Sequence, residues 1–149
     1  MVRRLAEAKA RAVAESGHSG LIIGSDQAAI MNGQIIGKPG NHAAAVRQLQ
    51  QASDNELLFL TGLCVFNSAN GRIQLDCIPC KARFRVLDDA LIERYLQREQ
   101  PYDCAGAFKS EGLGIALLQS METSDPTALI GLPLIRLTQM LEKEGFTVI

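Results

Sequence analysis

Helical periodicity appears in four stretches of the chain, where apolar residues recur every three or four positions and leave a polar face opposite. Asn41 and Asp88 stand directly before two of these stretches, and their side-chain oxygens can accept hydrogen bonds from the free N–H groups of a helix start. The pattern predicts helices over residues 2–16, 42–52, from 89 to before Pro101, and 134–144.

A short aliphatic run, Leu21-Ile22-Ile23, is followed by Gly24-Ser25-Asp26 and predicts a buried strand that ends at the glycine. Ligands of α/β proteins bind beyond the carboxyl ends of such strands. We therefore expect Asp26 to lie at that edge of the sheet.

The Asn32-Gly33 dipeptide predicts a tight hairpin, because a type I′ turn needs positive φ at both central residues. This loop pairs Met31 with Gln34, Ile30 with Ile35 and, further along, Gln27 with Lys38. An ideal ladder would put Asp26 and Lys38 on opposite faces, so their convergence requires the pairing to end at Gly37 and Pro39. The alternative is a surface hairpin with a solvated Lys38 and with Asp26 as a turn residue.

Two longer runs of strand character, residues 56–67 and 72–86, flank Asn70-Gly71, which predicts a second hairpin. In the second run, apolar residues alternate with polar ones, which predicts one buried face and one solvent-facing face. The apolar residues are Ile73, Leu75, Cys77, Ala82, Phe84 and Val86. Another strand is predicted over residues 115–121. The order of the elements predicts a single α/β domain over residues 1–149, with a mixed twisted sheet and helices packed on it.

Composition narrows the range of partners and locations. The 149 residues are 47% hydrophobic and 21% charged, as in an ordinary globular domain, and the net charge of -1 offers no basic surface for nucleic acid or an anionic membrane. No apolar run is long enough to span a bilayer, and the first residues enter a helical pattern without the features of a signal peptide. We expect a cytoplasmic protein without nucleic-acid or membrane partners.

Cysteine spacing raises one further alternative. Cys77 and Cys80 stand in Cys-x-x-Cys spacing, which occurs in redox pairs and zinc sites. They lie in a strand-like run, however, whereas a reactive pair sits at a helix start that lowers the thiol pKa. Cys64 and Cys104 do not form the second short-spaced pair that zinc sites favour. A thiol- or zinc-dependent module is therefore the less favoured interpretation.

Short motifs containing glycine or charged residues occur along nearly the whole chain. They are Leu5-Ala6-Glu7-Ala8-Lys9-Ala10, Gly24-Ser25-Asp26, Gly37-Lys38-Pro39, Thr61-Gly62, Ala105-Gly106 with Glu111-Gly112, and Asp125-Pro126 followed by Gly131-Leu132-Pro133. Together they resemble the Maf-like nucleotide pyrophosphatases. The resemblance implies a mixed α/β fold similar to the inosine triphosphate pyrophosphatases, two-lobed and with a cleft. It also implies hydrolysis of noncanonical or modified nucleoside triphosphates to the monophosphate and pyrophosphate, with Mg, Mn or Co as the divalent metal.

The resemblance assigns catalytic roles to three residues. Asp26 resembles the family's proposed general base or metal-binding carboxylate, and Lys38 and Lys9 resemble its phosphate-contacting lysines. The set is chemically coherent, because triphosphate hydrolysis needs an oriented water, a metal on the phosphate oxygens and cations where negative charge develops. Without the resemblance, Lys9 would be interpreted as one more solvated cation of the first helix.

The stretch of residues 105–112 resembles the subgroup that acts on 7-methyl-GTP, whose sister subgroup usually has Gln where Glu111 stands. Methylation at N7 makes guanine cationic, so a carboxylate in the base pocket would favour it by charge-assisted pairing. Lys109 and Gln27 complete the predicted substrate-binding residues.

One part of the family pattern is absent from the sequence. The family normally begins with a strand that carries Ser-x-Arg-Arg and continues into an Asp-Glu segment, whereas Arg3-Arg4 lie in the first predicted helix. The leading hypothesis is a 7-methyl-GTP pyrophosphatase that lacks this segment, with a nucleoside triphosphate as its substrate. The alternative is a catalytically inactive, nucleotide-binding remnant of the same fold. The sequence leaves a homodimer open.

Overall fold

The computed structural model describes residues 1–149 and contains four α-helices, three short 3-10 helices and one five-stranded sheet. The helices are α1 (Val2–Glu15), α2 (His42–Ala52), α3 (Asp89–Glu99) and α4 (Leu134–Lys143), and the strands are β1 (Leu21–Met31), β2 (Gln34–Ile36), β3 (Glu56–Asn67), β4 (Arg72–Phe84) and β5 (Leu118–Thr123). The 3-10 helices are Ala105–Ala107, Leu113–Leu117 and Pro126–Ile130. No helix is both long enough and apolar enough to cross a bilayer.

The α/β prediction is confirmed, and the strands lie in the order β2-β1-β3-β4-β5. The structure refines the mixed sheet to an antiparallel one. The predicted caps are also confirmed: Asn41 accepts a hydrogen bond from the Ala44 N–H at 2.9 Å, and Asp88 accepts one from the Leu91 N–H at 2.7 Å. The side-chain caps of Asn41 and Asp88 therefore fix where α2 and α3 begin.

The first hairpin has the predicted register, with Met31 opposite Gln34 and Ile30 opposite Ile35. Strand β2 ends at Ile36, before Gly37, as the convergence argument required. Strand β1 differs from the prediction, because it continues without a break through Gly24 to Met31. Asp26 therefore lies in the middle of a strand and not at its end.

Strand β4 does not have the single buried face that its alternation predicted. Its buried residues are Ile78, Cys80, Ala82 and Phe84, whereas Leu75 is 38% exposed and Val86, beyond the end of the strand, is 72% exposed. The odd-numbered positions before Ile78 point to the opposite face, where Ile73 packs against a cluster formed with α1. Strand β5 begins at Leu118 and not at Ile115, because residues 113–117 form a 3-10 helix.

The chain divides into two compact units. In the first unit (Met1–Gln27, Leu60–Pro79 and Thr123–Ile149), Ala6 and Ala10 of α1 pack with Cys64, while Leu137 and Met140 of α4 pack with its neighbours Leu63 and Val65. Because successive strand residues point to opposite faces, α1 and α4 cover opposite sides of β3. In the second unit (Ala28–Phe59 and Cys80–Glu122), Phe108 packs against Phe59 and Phe84, with ring centroids 5.7 and 5.2 Å apart.

Candidate active site

Helix α1 lies directly against the sheet of the first unit because two strands carry glycine where it crosses them. A Cβ on Gly62 of β3 would stand 2.5 Å from the carbonyl oxygen of Val2, and a Cβ on Gly24 of β1 would collide with the backbone of Ala6. Side chains alternate along a strand, so Asp26 points to the same face as Gly24. This close approach brings the polar edge of α1 within reach of the Asp26 carboxylate.

Lys9 of α1 makes that contact. Its Nζ lies 2.7 Å from Asp26 Oδ1 and 3.0 Å from the carbonyl oxygen of Ser25. The Asp26 side chain is 18% exposed and that of Lys9 57% exposed, so the pair borders solvent. Oδ2 of Asp26 accepts no hydrogen bond from the protein and can bind water, a metal ion or a substrate group. The structure thus brings together two of the three predicted catalytic residues.

The neighbours of Asp26 point to the other face of β1 and hold the strand in place. The Ser25 hydroxyl lies 2.9 Å from the Gly62 carbonyl oxygen and 2.7 Å from the Gly131 carbonyl oxygen, and it can donate its one proton to either. The Gln27 amide nitrogen lies 2.9 and 3.1 Å from the carbonyl oxygens of Ala128 and Leu129. With the Thr61 hydroxyl, 3.0 Å away, these acceptors commit the nitrogen of Gln27 to the fold. Gln27 therefore lies on the face of β1 opposite to Asp26, and the structure does not bring this predicted substrate-binding residue together with the Asp26 carboxylate.

Asp125, the first residue of the Asp125-Pro126 motif, caps the 3-10 helix that follows it and also bonds the start of α4. The residue is 2% exposed, and its Oδ1 accepts hydrogen bonds from the N–H and the hydroxyl of Thr127. Oδ2 accepts hydrogen bonds from the N–H groups of Ile135 and Arg136, at 2.9 and 3.2 Å. One carboxylate therefore joins the 3-10 helix that follows it to the first turn of α4. The Asp-Pro motif was visible in the sequence, but the second set of donors lies ten residues away.

Lys38, in the second unit, lies in a loop with a fixed backbone. The Gly37 carbonyl oxygen accepts hydrogen bonds from the side-chain amide of Gln48 at 3.0 Å and from the Gly106 N–H at 3.3 Å. The Gly40 N–H donates to the carbonyl oxygen of Tyr102 at 2.9 Å. Lys38 itself is exposed, and its ammonium forms no ion pair within the protein. The loop therefore presents a free cation, as a phosphate contact would require.

His42 also has partners that the sequence did not indicate. Its Nδ1 lies 2.9 Å from the Tyr102 hydroxyl, and its Nε2 lies 2.8 Å from Glu93 Oε2. The hydrogen bond from His42 is the main reason that the pKa of Glu93 is lowered from its ordinary value. These three side chains join the start of α2 to α3 and to the segment after α3.

Helix α3 holds the loop that carries Lys109 and Glu111. The Tyr95 hydroxyl donates to the Ala107 carbonyl oxygen at 2.9 Å and accepts from the Lys109 N–H at 3.1 Å. The Lys109 ammonium lies 2.9 Å from Glu99 Oε1. Glu111 is exposed, and its nearest hydrogen-bond partner is the neighbouring Ser110 hydroxyl at 3.4 Å. The predicted substrate-binding cation thus has an internal partner, whereas the predicted substrate-binding carboxylate forms no ion pair.

Cys64, Cys77 and Cys104 are free thiols. Burial raises the pKa of Cys77 and raises the pKa of Cys64 to about 11, the opposite of the shift that activates a thiol. No group of three or more His, Cys, Asp or Glu residues is arranged to hold a metal ion. The single carboxylate of Asp26 is therefore the donor to consider for a substrate-associated metal.

Comparison with known proteins shows the family. The Maf-like protein family matches residues 1–144, so the chain belongs to this family. A 7-methyl-GTP pyrophosphatase of Pseudomonas savastanoi pv. phaseolicola is 58% identical over 148 residues, which cover 99% of this chain and 77% of the relative. Proteins of the same name from Nitrosococcus oceani and Pseudomonas aeruginosa are each 51% identical, over 100% and 97% of this chain and 75% and 76% of their own lengths.

Proposed function

We propose that this chain hydrolyses 7-methyl-GTP to 7-methyl-GMP and pyrophosphate. Membership of the Maf-like family and the names of relatives that match nearly the whole chain support this activity. The observation that carries the proposal is the contact of Lys9 with Asp26, in which one carboxylate oxygen is held by an ammonium and the other is open. This arrangement suits hydrolysis of a polyanion, because a base and a cation stand side by side.

In the proposed reaction, Asp26 Oδ2 orients a water molecule and accepts its proton. The water oxygen forms a bond to the α-phosphorus, the bond from that phosphorus to the oxygen bridging to the β-phosphate breaks, and pyrophosphate leaves. Lys9 holds the carboxylate in position and adds positive charge near the reacting phosphate. Lys38, with its free ammonium on a fixed loop, is proposed to bind phosphate oxygens in the same way. Cations placed where charge develops stabilise such transition states.

A divalent cation, Mg, Mn or Co, could be bound through the open carboxylate oxygen of Asp26. Mg²⁺ is commonly held by one or two carboxylates together with substrate phosphates and water, so the open oxygen of Asp26 is sufficient as the protein's contribution. When bound, the metal would neutralise charge on the triphosphate oxygens. The Asp26 carboxylate would then be a metal ligand, and the choice between this role and that of a base is part of the test.

Recognition of the base is assigned to Glu111. The exposed, unpaired carboxylate can form a charge-assisted interaction with the cationic ring of 7-methylguanine, which ordinary guanine cannot provide. We also propose the cytoplasm as the location, since three free cysteines, Cys64, Cys77 and Cys104, suit a reducing compartment. A homodimer is retained as an untested expectation.

The test is release of pyrophosphate from a panel of nucleotides that includes 7-methyl-GTP and GTP, with Mg²⁺, Mn²⁺ or Co²⁺. Asp26→Asn should lower turnover of 7-methyl-GTP by at least roughly 10²-fold with little change in thermal midpoint. Asp54→Asn is the matched control, because Asp54 forms an ion pair of the same length, 2.7 Å, with Arg83. Its turnover should equal that of the parent.

Three outcomes would contradict the proposal or its assignment of Asp26. Equal loss in both variants, or full activity of Asp26→Asn, would remove Asp26 from the reaction. A parent that releases no pyrophosphate from any nucleotide, yet is stabilised thermally by nucleotide, would favour the inactive nucleotide-binding remnant.

A further inference from the structure

Two acidic residues of the second unit act on Lys109, but it bonds to only one of them. Its Nζ is 2.9 Å from Glu99 Oε1. The hydrogen bond and the charge of Glu99 raise the pKa of Lys109, and the charge of Glu111 raises it further. Glu111 is therefore near enough to act on Lys109 electrostatically, although it forms no ion pair with it.

Glu99 is held firmly in the position from which it binds Lys109. Its second oxygen, Oε2, accepts a hydrogen bond from the Leu113 N–H at 2.7 Å, and its side chain is only 11% exposed. The chain passes so close to the carboxylate that a Cβ on Gly112 would stand 2.5 Å from Oε2. Glycine at this position therefore allows the loop to close over Glu99.

The same helix face fixes the loop at a second point. Tyr95 stands four residues before Glu99 on α3, so the two side chains lie on one face, and the Tyr95 hydroxyl bonds the backbone of Ala107 and of Lys109. The backbone on both sides of Glu111 is thus anchored to α3. Glu111 itself stays exposed, with only the Ser110 hydroxyl nearby at 3.4 Å.

We propose that Glu99 is a specificity-positioning residue: by binding Lys109 it leaves the Glu111 carboxylate free to recognise the cationic base of 7-methyl-GTP. The inference rests on the proposed function, because it needs Glu111 to meet the base. Without the charge of Glu99, Glu111, two residues along the chain, is the remaining acidic residue whose charge acts on Lys109. A paired Glu111 would no longer distinguish a cationic base from a neutral one.

The test compares kcat/KM for 7-methyl-GTP with kcat/KM for GTP. Glu99→Gln keeps the size of the side chain and an acceptor for the Leu113 N–H, but it removes the charge. The preference for 7-methyl-GTP should fall roughly tenfold, the order expected for one hydrogen bond to a charged group, while turnover of GTP is retained. Glu111→Gln should lower the preference at least as much.

A rescue experiment separates this role from a merely structural one. Adding Lys109→Met to Glu99→Gln should restore the preference, because no ammonium is left to pair with Glu111. If Glu99 only supported the loop, the double variant would be as unselective as Glu99→Gln. Lys109→Met alone should keep the parent's ratio of kcat/KM for 7-methyl-GTP to kcat/KM for GTP, even where both values fall with the loss of a predicted substrate-binding cation.

Gly112→Ala gives an independent route if Glu99→Gln folds poorly. The new methyl group displaces the flexible carboxylate end of Glu99 without changing any charge, so the preference should fall, and Lys109→Met should restore it. A preference unchanged in both Glu99→Gln and Gly112→Ala, with Glu111→Gln unselective, would overturn this inference alone. A preference unchanged in Glu111→Gln would overturn base recognition by Glu111, and this inference with it.

Discussion

The backbone of Gly24 lies so close to α1 that a Cβ built on it would stand 2.1 Å from the carbonyl oxygen of Ala6. Lys9 follows Ala6 by three residues on the helix, and Asp26 follows Gly24 by two residues on the strand, so each pair shares a face. The close approach at Gly24 therefore sets the distance between the Lys9 ammonium and the Asp26 carboxylate.

Gly24→Ala tests this relationship. The methyl group would collide with backbone and cannot be accommodated by a side-chain movement, so we expect a loss of about 1–3 kcal/mol in the free energy of unfolding. Turnover of 7-methyl-GTP should fall with it, because α1 must move and carry Lys9 away from Asp26. Gly37→Ala is the control for stability, since a Cβ there meets nothing within 4 Å. Equal thermal midpoints for the two variants would contradict the prediction.

Lys9→Ala should lower kcat/KM for the nucleotide by at least roughly tenfold, because it removes one cation from the triphosphate and one tether from Asp26. Arg11→Ala provides the comparison on the same helix, where Arg11 pairs with Glu7 at 2.8 Å. The ion pair of Lys9 with Asp26 and that of Arg11 with Glu7 both border solvent, and such pairs contribute at most about 1 kcal/mol to the free energy of unfolding. Neither variant should therefore change the thermal midpoint much. A similar loss of activity in both would indicate a general charge effect, and Lys9 would have no specific role.

The helices and hairpins followed from local chemistry and could be predicted. Asn41 and Asp88 carry side chains that bond the first N–H groups of a helix, and Asn32-Gly33 fits a two-residue turn, so their effects do not depend on the rest of the fold. Motif resemblance favoured Asp26, which the strand pattern alone left open between a site residue and a turn residue, and Lys9, which the helix pattern alone left as a solvated cation.

The parts that could not be predicted depend on packing between segments distant in the chain. Gly24 suggested a strand end, whereas it actually permits the approach of α1, and the sequence contains no sign of that neighbour. No sequence pattern pointed to Glu99, and only the folded loop shows Lys109 and Leu113 beside it. Strand β4 changes its buried face midway: Ile73 packs against the cluster formed with α1, whereas Phe84 packs against Phe108, so no single alternation describes the strand.

The ion pair of Glu99 and Lys109 should make stability depend on pH in a defined direction. The hydrogen bond from the Leu113 N–H, followed by that from Lys109, lowers the pKa of Glu99 from its ordinary 4.5. A lowered carboxyl pKa contributes stability that is present above 4.5 and lost as the pH falls through the folded value. Lys109, with a raised pKa, keeps its contribution below its ordinary 10.5 and loses it at higher pH.

The thermal midpoints of the parent and Glu99→Gln should therefore differ most between pH 4.5 and 10.5, and they should converge in acid. Glu56→Gln, at an exposed position without an ion pair, controls for general charge effects. A difference between parent and Glu99→Gln that grows as the pH is lowered below 4.5 would contradict the assigned direction of the shift.

Asp125 and Asp88 are both N-terminal caps, yet their substitution should have very different costs. Asp88 is exposed and accepts one hydrogen bond, from the Leu91 N–H, so Asp88→Ala should cost about 1 kcal/mol of unfolding free energy. Asp125 is buried and accepts hydrogen bonds from Thr127, Ile135 and Arg136. Asp125→Ala leaves these donors without an acceptor in the interior and should cost about 3 kcal/mol or more.

Asp125→Asn distinguishes lost hydrogen bonds from lost side-chain volume. The amide keeps the size of the carboxylate and one acceptor oxygen, but its nitrogen must face N–H donors on one side, either those of α4 or those of Thr127. Its unfolding free energy should therefore fall between those of the parent and Asp125→Ala. Denaturant unfolding of all four proteins, the parent and the three variants, measures the series directly. If Asp125→Ala costs no more than Asp88→Ala, then Asp125 does not join α4 to the preceding 3-10 helix as its contacts indicate.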